Sequence, residues 1–176
     1  YYLANQDPHV YFALLTDFSD ASQESLPGEE ELIQEAILKI DELNSKYSDM
    51  GISRFFLFHR KRLWNRSEGK WMGWERKRGK LAEFNALLCG EKNNSFSHIH
   101  GNIDLLGNIR YVITLDTDTQ LPRDSVKGLI GTLAHPLNRP VLDPDTKKIV
   151  RGYGLLQPKI AISHNSANRS FFSRLF

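Results

Sequence analysis

Apolar residues in this chain switch between two spacings, and the order of the switches leaves few folds open. HVYFALLTDFSDA carries an apolar strand run, Val10 to Leu15, that ends at Thr16 and Asp17. SLPGEEELIQEAILKIDELNSKY then reads as a helix, with Pro27 and a run of glutamates at its start, where the helix dipole favours acids. Leu32, Ile33, Ala36, Ile37, Ile40 and Leu43 form one stripe, which predicts packing on a core. ISRFFLFHRKRLW gives a second strand, Phe55 to Phe58, running into a basic segment. EGKWMGW, with its glycines and tryptophans, is expected to be a loop. Lys77 to Leu88 has helical spacing through Leu81, Phe84, Leu87 and Leu88. Residues 90–108 read as irregular and polar. Tyr111 to Leu115 reads as a further strand, and LPRDSVKGLIGTLAHP as a helix through Val126, Leu129, Ile130 and Leu133, closed by Pro136. VLDPDTKKIVRGYGLLQPKIAI reads as a hairpin around a DPDT turn. Strand alternating with helix predicts an open α/β sheet with parallel strands, whose ligands bind at the carboxyl ends of the strands. Asp17 and Asp116 are both expected there.

The 176 residues fit one domain with room for a sizeable core. No apolar run reaches the roughly 18 residues of a membrane span, and the opening YYLANQDPHV has no signal-peptide pattern. A single cysteine, Cys89, excludes an internal disulfide and a cysteine metal cluster. The net charge of +2 hides an asymmetry. Residues 1–50 carry eleven acids against Lys39 and Lys46, and residues 54–80 carry ten Lys and Arg against Glu68 and Glu75. Such a block implies either an anionic partner or an internal charge match between two faces.

Three stretches carry candidate chemistry. In YVITLDTDTQLP, residues i and i+2 of an extended chain point to one side, so Asp116 and Asp118 could converge on a cation. Hard oxygen ligands suit Mg²⁺ or Mn²⁺, completed by phosphate oxygens and water. The plainer reading is a turn, with Asp118 or Thr119 capping the next helix. In TDFSDA, Asp17 at a strand end could accept hydrogen bonds from a base or ribose, or cap a turn. In GWERKRGKLAEFN, Lys77 and Lys80 flank Gly79 at a helix start, where free N–H groups already favour phosphate; a solvated basic end is the alternative. His98 and His100 lack the Cys or acid that would complete a zinc spacing and read as surface imidazoles. Trp64, Trp71 and Trp74 could stack on sugar or base rings, or anchor a loop. No GxGxxG, Walker A or GxSxG pattern occurs.

LLTDFSDA, GWERKRGKLAEFN, LDTDTQLPRDSV and RGYGLLQPKI, in that order, resemble inverting, processive glycosyltransferases of the cellulose-synthase type. Their wording is most similar to the glycosyltransferase region of cyclic β-1,2-glucan synthases, large bacterial inner-membrane proteins. The resemblance implies a partial GT-A (Rossmann-like) fold: an open mixed, mostly parallel sheet flanked by helices, truncated at both ends and lacking its first strand. Residues 1–176 would be a single domain, a fragment of a glycosyltransferase domain on the cytoplasmic face of the inner membrane. It implies UDP-glucose as donor and a growing β-1,2-glucan as acceptor, with no nucleic acid. Asp17 would contact the uridine, and Lys77, with Lys80, would lie near the diphosphate. Asp116 and Asp118 would form the D-x-D, Asp118 touching Mg²⁺ or Mn²⁺ directly. Arg151, Gly152 and Gln157 would sit near the sugar or acceptor. Inverting transfer needs a general base. The family's base is an Asp in a TED-like motif farther on, and no Asp, Glu or Q-x-x-R-W follows Gln157, so turnover is not expected from these residues alone.

Two other readings compete. ITLDTDT also looks like the start of a haloacid-dehalogenase-type phosphatase, with Asp116 as nucleophile and Asp118 as acid/base. That fold needs later acids, and only Asp124, Asp143 and Asp145 follow. Residues 54–80 could instead grip nucleic acid, against the repulsion of the acidic first fifty residues.

Overall fold

The computed structural model describes residues 1–47 and 51–159. They divide into two compact units, one of Tyr2 and residues 6–112, the other of Tyr1, residues 3–5 and the chain from Ile113.

The larger unit is a mixed α/β fold. Strand β1 (Phe12–Asp17) leads through helix α1 (Glu29–Tyr47) to β2 (Phe55–Arg60), and β1 and β2 pair in parallel from Phe12↔Phe55 to Asp17↔Arg60. A short hairpin, β3 (Leu63–Asn65) and β4 (Lys70–Met72), precedes helix α2 (Arg76–Leu88). Strand β5 (Phe96–His100) returns antiparallel to β2 and gives the order β1-β2-β5; a 3₁₀ turn, Ile103–Leu106, follows.

β2 is buried at every residue, because both of its faces are covered. Its alternation divides the core: Phe56 and Phe58 pack with Phe84 of α2 and Leu106. Phe55 and Leu57 pack with Ile40 of α1, joined by Tyr2, Phe12, Ala36, Ile37 and Tyr47. Each such side chain removed from water contributes roughly 1.5–3 kcal/mol. Asn44 docks the end of α1 on the start of β2: its Oδ1 accepts from the N–H groups of Arg54 and Phe55, and its Nδ2 donates to the Phe55 carbonyl, all at 2.9 Å. The helical stripe is narrower than expected, since Ile33 and Ile40 are buried whereas Leu32 is 58% exposed.

Several expectations need correction. EGKWMGW is not a loop, because Lys70–Met72 forms β4, with Trp71 facing Trp64 across the hairpin. Residues 90–108 are not irregular throughout: polar Ser97, His98 and His100 obscured a strand in which Phe96, His98, Ile99 and His100 pair with Arg60, His59, Phe58 and Leu57 of β2. That strand makes the sheet mixed, with one parallel and one antiparallel pairing among the described residues, rather than mostly parallel. Tyr111 to Leu115 has strand composition but forms no ladder. A strand exists only where neighbouring backbone groups complete its hydrogen bonds, which composition cannot supply.

The smaller unit contains helix α3 (Ser125–Ala134) and the expected hairpin, β6 (Val141–Leu142) with β7 (Ile149–Arg151). Asn5 stands in for the missing side-chain cap of α3: its Oδ1 accepts from the Val126 N–H at 3.1 Å and its Nδ2 donates to the Pro122 carbonyl at 3.1 Å. The Asp143 carboxylate closes the hairpin turn, accepting from the Thr146 N–H at 2.7 Å, its hydroxyl at 2.9 Å and the Asp145 N–H at 3.1 Å. Residues 160–162, the end of the stretch read as a hairpin, lie outside the described residues. Among the described residues no helix is long and apolar enough to cross a membrane.

Candidate functional site

The carboxyl ends of β1 and β2 bring Asp17 and Arg60 side by side, because the parallel register makes them partners. Arg60 shares the face of Phe56 and Phe58 and is fully buried. Its guanidinium donates to Asp17 Oδ2 at 2.9 Å and to the carbonyls of Trp74 and Arg76, also at 2.9 Å. Glu83 Oε1 lies 3.6 Å away, and only Nε of the buried guanidinium has no partner. Lys80 of α2 donates to the other Asp17 oxygen at 2.7 Å. Two cations therefore hold one carboxylate. Burial alone would raise the Asp17 pKa, but the hydrogen bonds and charges of Lys80 and Arg60 reverse that and hold it below the usual aspartate value.

The same guanidinium fixes the turn before α2. Glu75 and Arg76 both have positive φ, 50° and 45°, a conformation that costs non-glycine residues energy. Arg60 grips the carbonyls on either side of Glu75. Gly73 is required beside it, since a Cβ there would stand 2.6 Å from the Arg60 guanidinium and 2.8 Å from the Asp17 carboxylate. Asp17, Phe18, Ser19, Asp20, Gly73 and Arg76 line an open cleft of about 520 Å³. Arg76 closes one side by donating to Asp20 at 2.7 Å.

The structure thus brings Asp17 and Lys80 together, and Lys77 lies exposed on the first turn of α2. Asp17 ends a strand as expected; it organises charge rather than capping a turn. Asp116 and Asp118 belong to the smaller unit, and both are exposed. They occupy a turn, closed by the Thr119 N–H on the Asp116 carbonyl at 3.1 Å, and Asp116 ends no strand. Neither Asp118 nor Thr119 caps α3, which starts after Asp124. Among the described residues no group of three or more His, Cys, Asp or Glu side chains is placed to hold a metal ion. The donor set still suits a hard divalent cation, with phosphate and water supplying the remaining oxygens. Arg151 and Gln157 are exposed; Gly152 (φ 76°) abuts the Arg139 carbonyl, 2.0 Å from where a Cβ would sit.

Arg60 and Arg62 were invisible as site residues in the sequence, although Arg60 continues the alternation of FFLF; Arg62 follows the strand's end. Arg62 is also buried and makes a bidentate pair with Glu29 at 2.5 and 2.8 Å. That pair holds the Glu29 carboxyl below its usual range, despite the opposing effect of burial. The basic block is thus matched internally to a large extent, with Arg60, Arg62, Arg76 and Lys80 facing Asp17, Glu29 and Asp20. His98 and His100 are each about a third exposed and face Glu30 and Asp41 at 3.8 and 2.7 Å.

No family model matches the chain. Over 177 aligned residues, covering the whole chain, it is 46% identical to the protein named cyclic beta-(1,2)-glucan synthase NdvB from Rhizobium meliloti (strain 1021). The chain is homologous to a region of a cyclic glucan synthase. It spans only 6% of that relative's length.

Proposed function

We propose that this region forms the donor-binding part of an inverting glycosyltransferase that moves glucose from UDP-glucose to a growing β-1,2-glucan. The observation that carries the reading is the 46% identity, over the whole of this chain, to a region of a glucan synthase; the charge-balanced Asp17 beside an open cleft supports it. Arg60 and Lys80 keep the Asp17 carboxylate ionised, so its remaining lone pairs can accept an N–H from a uracil ring. Lys77 supplies positive charge for the diphosphate at the start of α2. Asp118, with Asp116, gives hard oxygens to Mg²⁺ or Mn²⁺, and that ion offsets the charge on the departing diphosphate when bound. Arg151, Gly152 and Gln157 are assigned to the sugar or acceptor region. The general base comes from elsewhere in a longer polypeptide, anchored at the cytoplasmic face of the bacterial inner membrane, so residues 1–176 bind donor without turnover.

Calorimetric titration of UDP with and without Mn²⁺ tests this reading, with UMP as the control. UDP should bind in a metal-dependent manner and more tightly than UMP. Asp118→Asn should abolish the metal dependence and leave the unfolding curve unchanged, because Asp118 is exposed. Unaltered Mn²⁺-dependent affinity in that variant refutes the metal role.

A further inference from the structure

We propose that Arg76 is a latch on the Asp17 cleft: Asp20 holds its guanidinium until the diphosphate of the donor takes it over. The proposal rests on the donor-binding reading above and concerns how that same site engages its ligand. Glu75 and Arg76 follow one another with φ of 50° and 45°, and neither is glycine. Strained backbone of this kind persists only where surrounding groups enforce it, and it gathers at ligand clamps. Here hydrogen bonds enforce it. The Arg76 N–H donates to the Gly73 carbonyl at 3.0 Å, and the buried Arg60 donates to the Trp74 and Arg76 carbonyls.

A single Arg60 nitrogen, Nη2, serves both the Arg76 carbonyl and Asp17 Oδ2, each at 2.9 Å. The backbone that carries the Arg76 side chain is thereby tied to the carboxylate proposed for the nucleobase. The side chain itself is solvated. It is 65% exposed, lines the cleft with Asp17, and reaches Asp20 at 2.7 Å and Glu68 at 3.7 Å. Ion pairs this exposed are weak, because water screens them and two side chains must be ordered to form them. A stronger anion entering the cleft can therefore displace either acid without disturbing the turn beneath.

The cations at this turn select the anion. α2 opens with Arg76, Lys77, Arg78 and Lys80 among its first five residues and has no acid in its first turn, although cations there oppose the helix dipole. Lys80 is committed to Asp17, and Arg78 to Glu75 at 2.9 Å. Arg76 is the member of this group that lines the cleft. A diphosphate carries more charge than a carboxylate, and its oxygens match the planar guanidinium fork with two parallel hydrogen bonds. Exchange of Asp20 for diphosphate is thus favoured by both charge and geometry.

Calorimetric titration of UDP with Mn²⁺, and separately of inorganic pyrophosphate, into the 176-residue chain tests the exchange. Arg76→Ala should weaken both ligands about tenfold, as expected for one charge-assisted contact. Arg76→Lys keeps the charge without the fork; it should lose less, and it covers the case in which the alanine variant misfolds. Asp20→Asn should tighten UDP about threefold, because the competing partner is gone. The double variant should match Arg76→Ala, since Asp20 acts through Arg76. An ion pair with a structural role alone leaves UDP affinity unchanged or weaker in Asp20→Asn, and that result overturns the proposal. So does tightening by Asp20→Asn that persists in the Arg76→Ala background, the mark of simple charge repulsion. UDP binding that ignores both substitutions sinks the latch and leaves the donor reading standing. Arg76-dependent pyrophosphate binding without UDP binding upholds the latch and sinks the uridine assignment. No binding of either ligand overturns both.

Discussion

At the scale of single residues, Arg60 and Asp17 illustrate how a buried charge is made tolerable. The guanidinium leaves water completely, and four oxygens within 3.6 Å repay part of that loss. Replacing Asp17 with Asn removes the main neutralising charge. The expected loss is about 2–3 kcal/mol, below the roughly 3–5 for breaking a fully buried pair, because Glu83 remains nearby and the Asp17 side chain is 19% exposed. Urea unfolding of Asp17→Asn measures it, and a change under about 0.5 kcal/mol would contradict the neutralising role. The spacing of Arg60 and Arg62 was readable in HRKR, but their burial was not. Arg60 is buried because both faces of β2 are covered, and Arg62, beyond the strand, because Ser19, Glu24 and Glu29 close on it.

At the scale of elements, the start of α2 combines features that oppose one another. Glycine inside a helix usually costs roughly 0.5–1 kcal/mol relative to alanine, so Gly79→Ala would ordinarily stabilise. Here an added Cβ would stand 2.0 Å from the Trp74 carbonyl and 2.7 Å from its ring, and the clash decides the sign. Gly79→Ala is expected to destabilise by about 1–3 kcal/mol and lower the thermal midpoint. A raised midpoint would contradict the close packing at this turn. The helices were legible from the sequence because a long apolar stripe repeats its signal over several turns. The hairpin and β5 were not, because strands of three to five residues give few repeats and their polar positions face other protein groups.

At the scale of the whole molecule, groups with lowered pKa predict acid sensitivity in the larger unit. His59 is buried beside Thr16, whose hydroxyl lies 2.9 Å from Nδ1, and burial followed by the nearby His98 pushes its pKa down. The unfolded chain takes up this proton first, so stability is lost as pH falls below roughly 6.5. Asp17 and Glu29, also lowered, hold their contribution above roughly pH 4 and lose it as pH falls through their folded values. Denaturant unfolding followed from pH 8 to 3 should show two successive declines. His59→Gln should remove the upper one, and a flat profile between pH 7 and 5 would contradict the account.

The sequence by itself determined the α/β character, the helices α1, α2 and α3, the apolar strand of β2 and the likeness to a glucan synthase, because periodicity and residue chemistry are local properties. Only the tertiary structure decided that Tyr111 to Leu115 forms no ladder, that β5 runs antiparallel beside β2, and that Lys80 and Arg60 converge on Asp17. Each of those depends on what lies across space from a residue: a partner strand's hydrogen bonds, a covering helix, or an opposite charge brought within 3 Å.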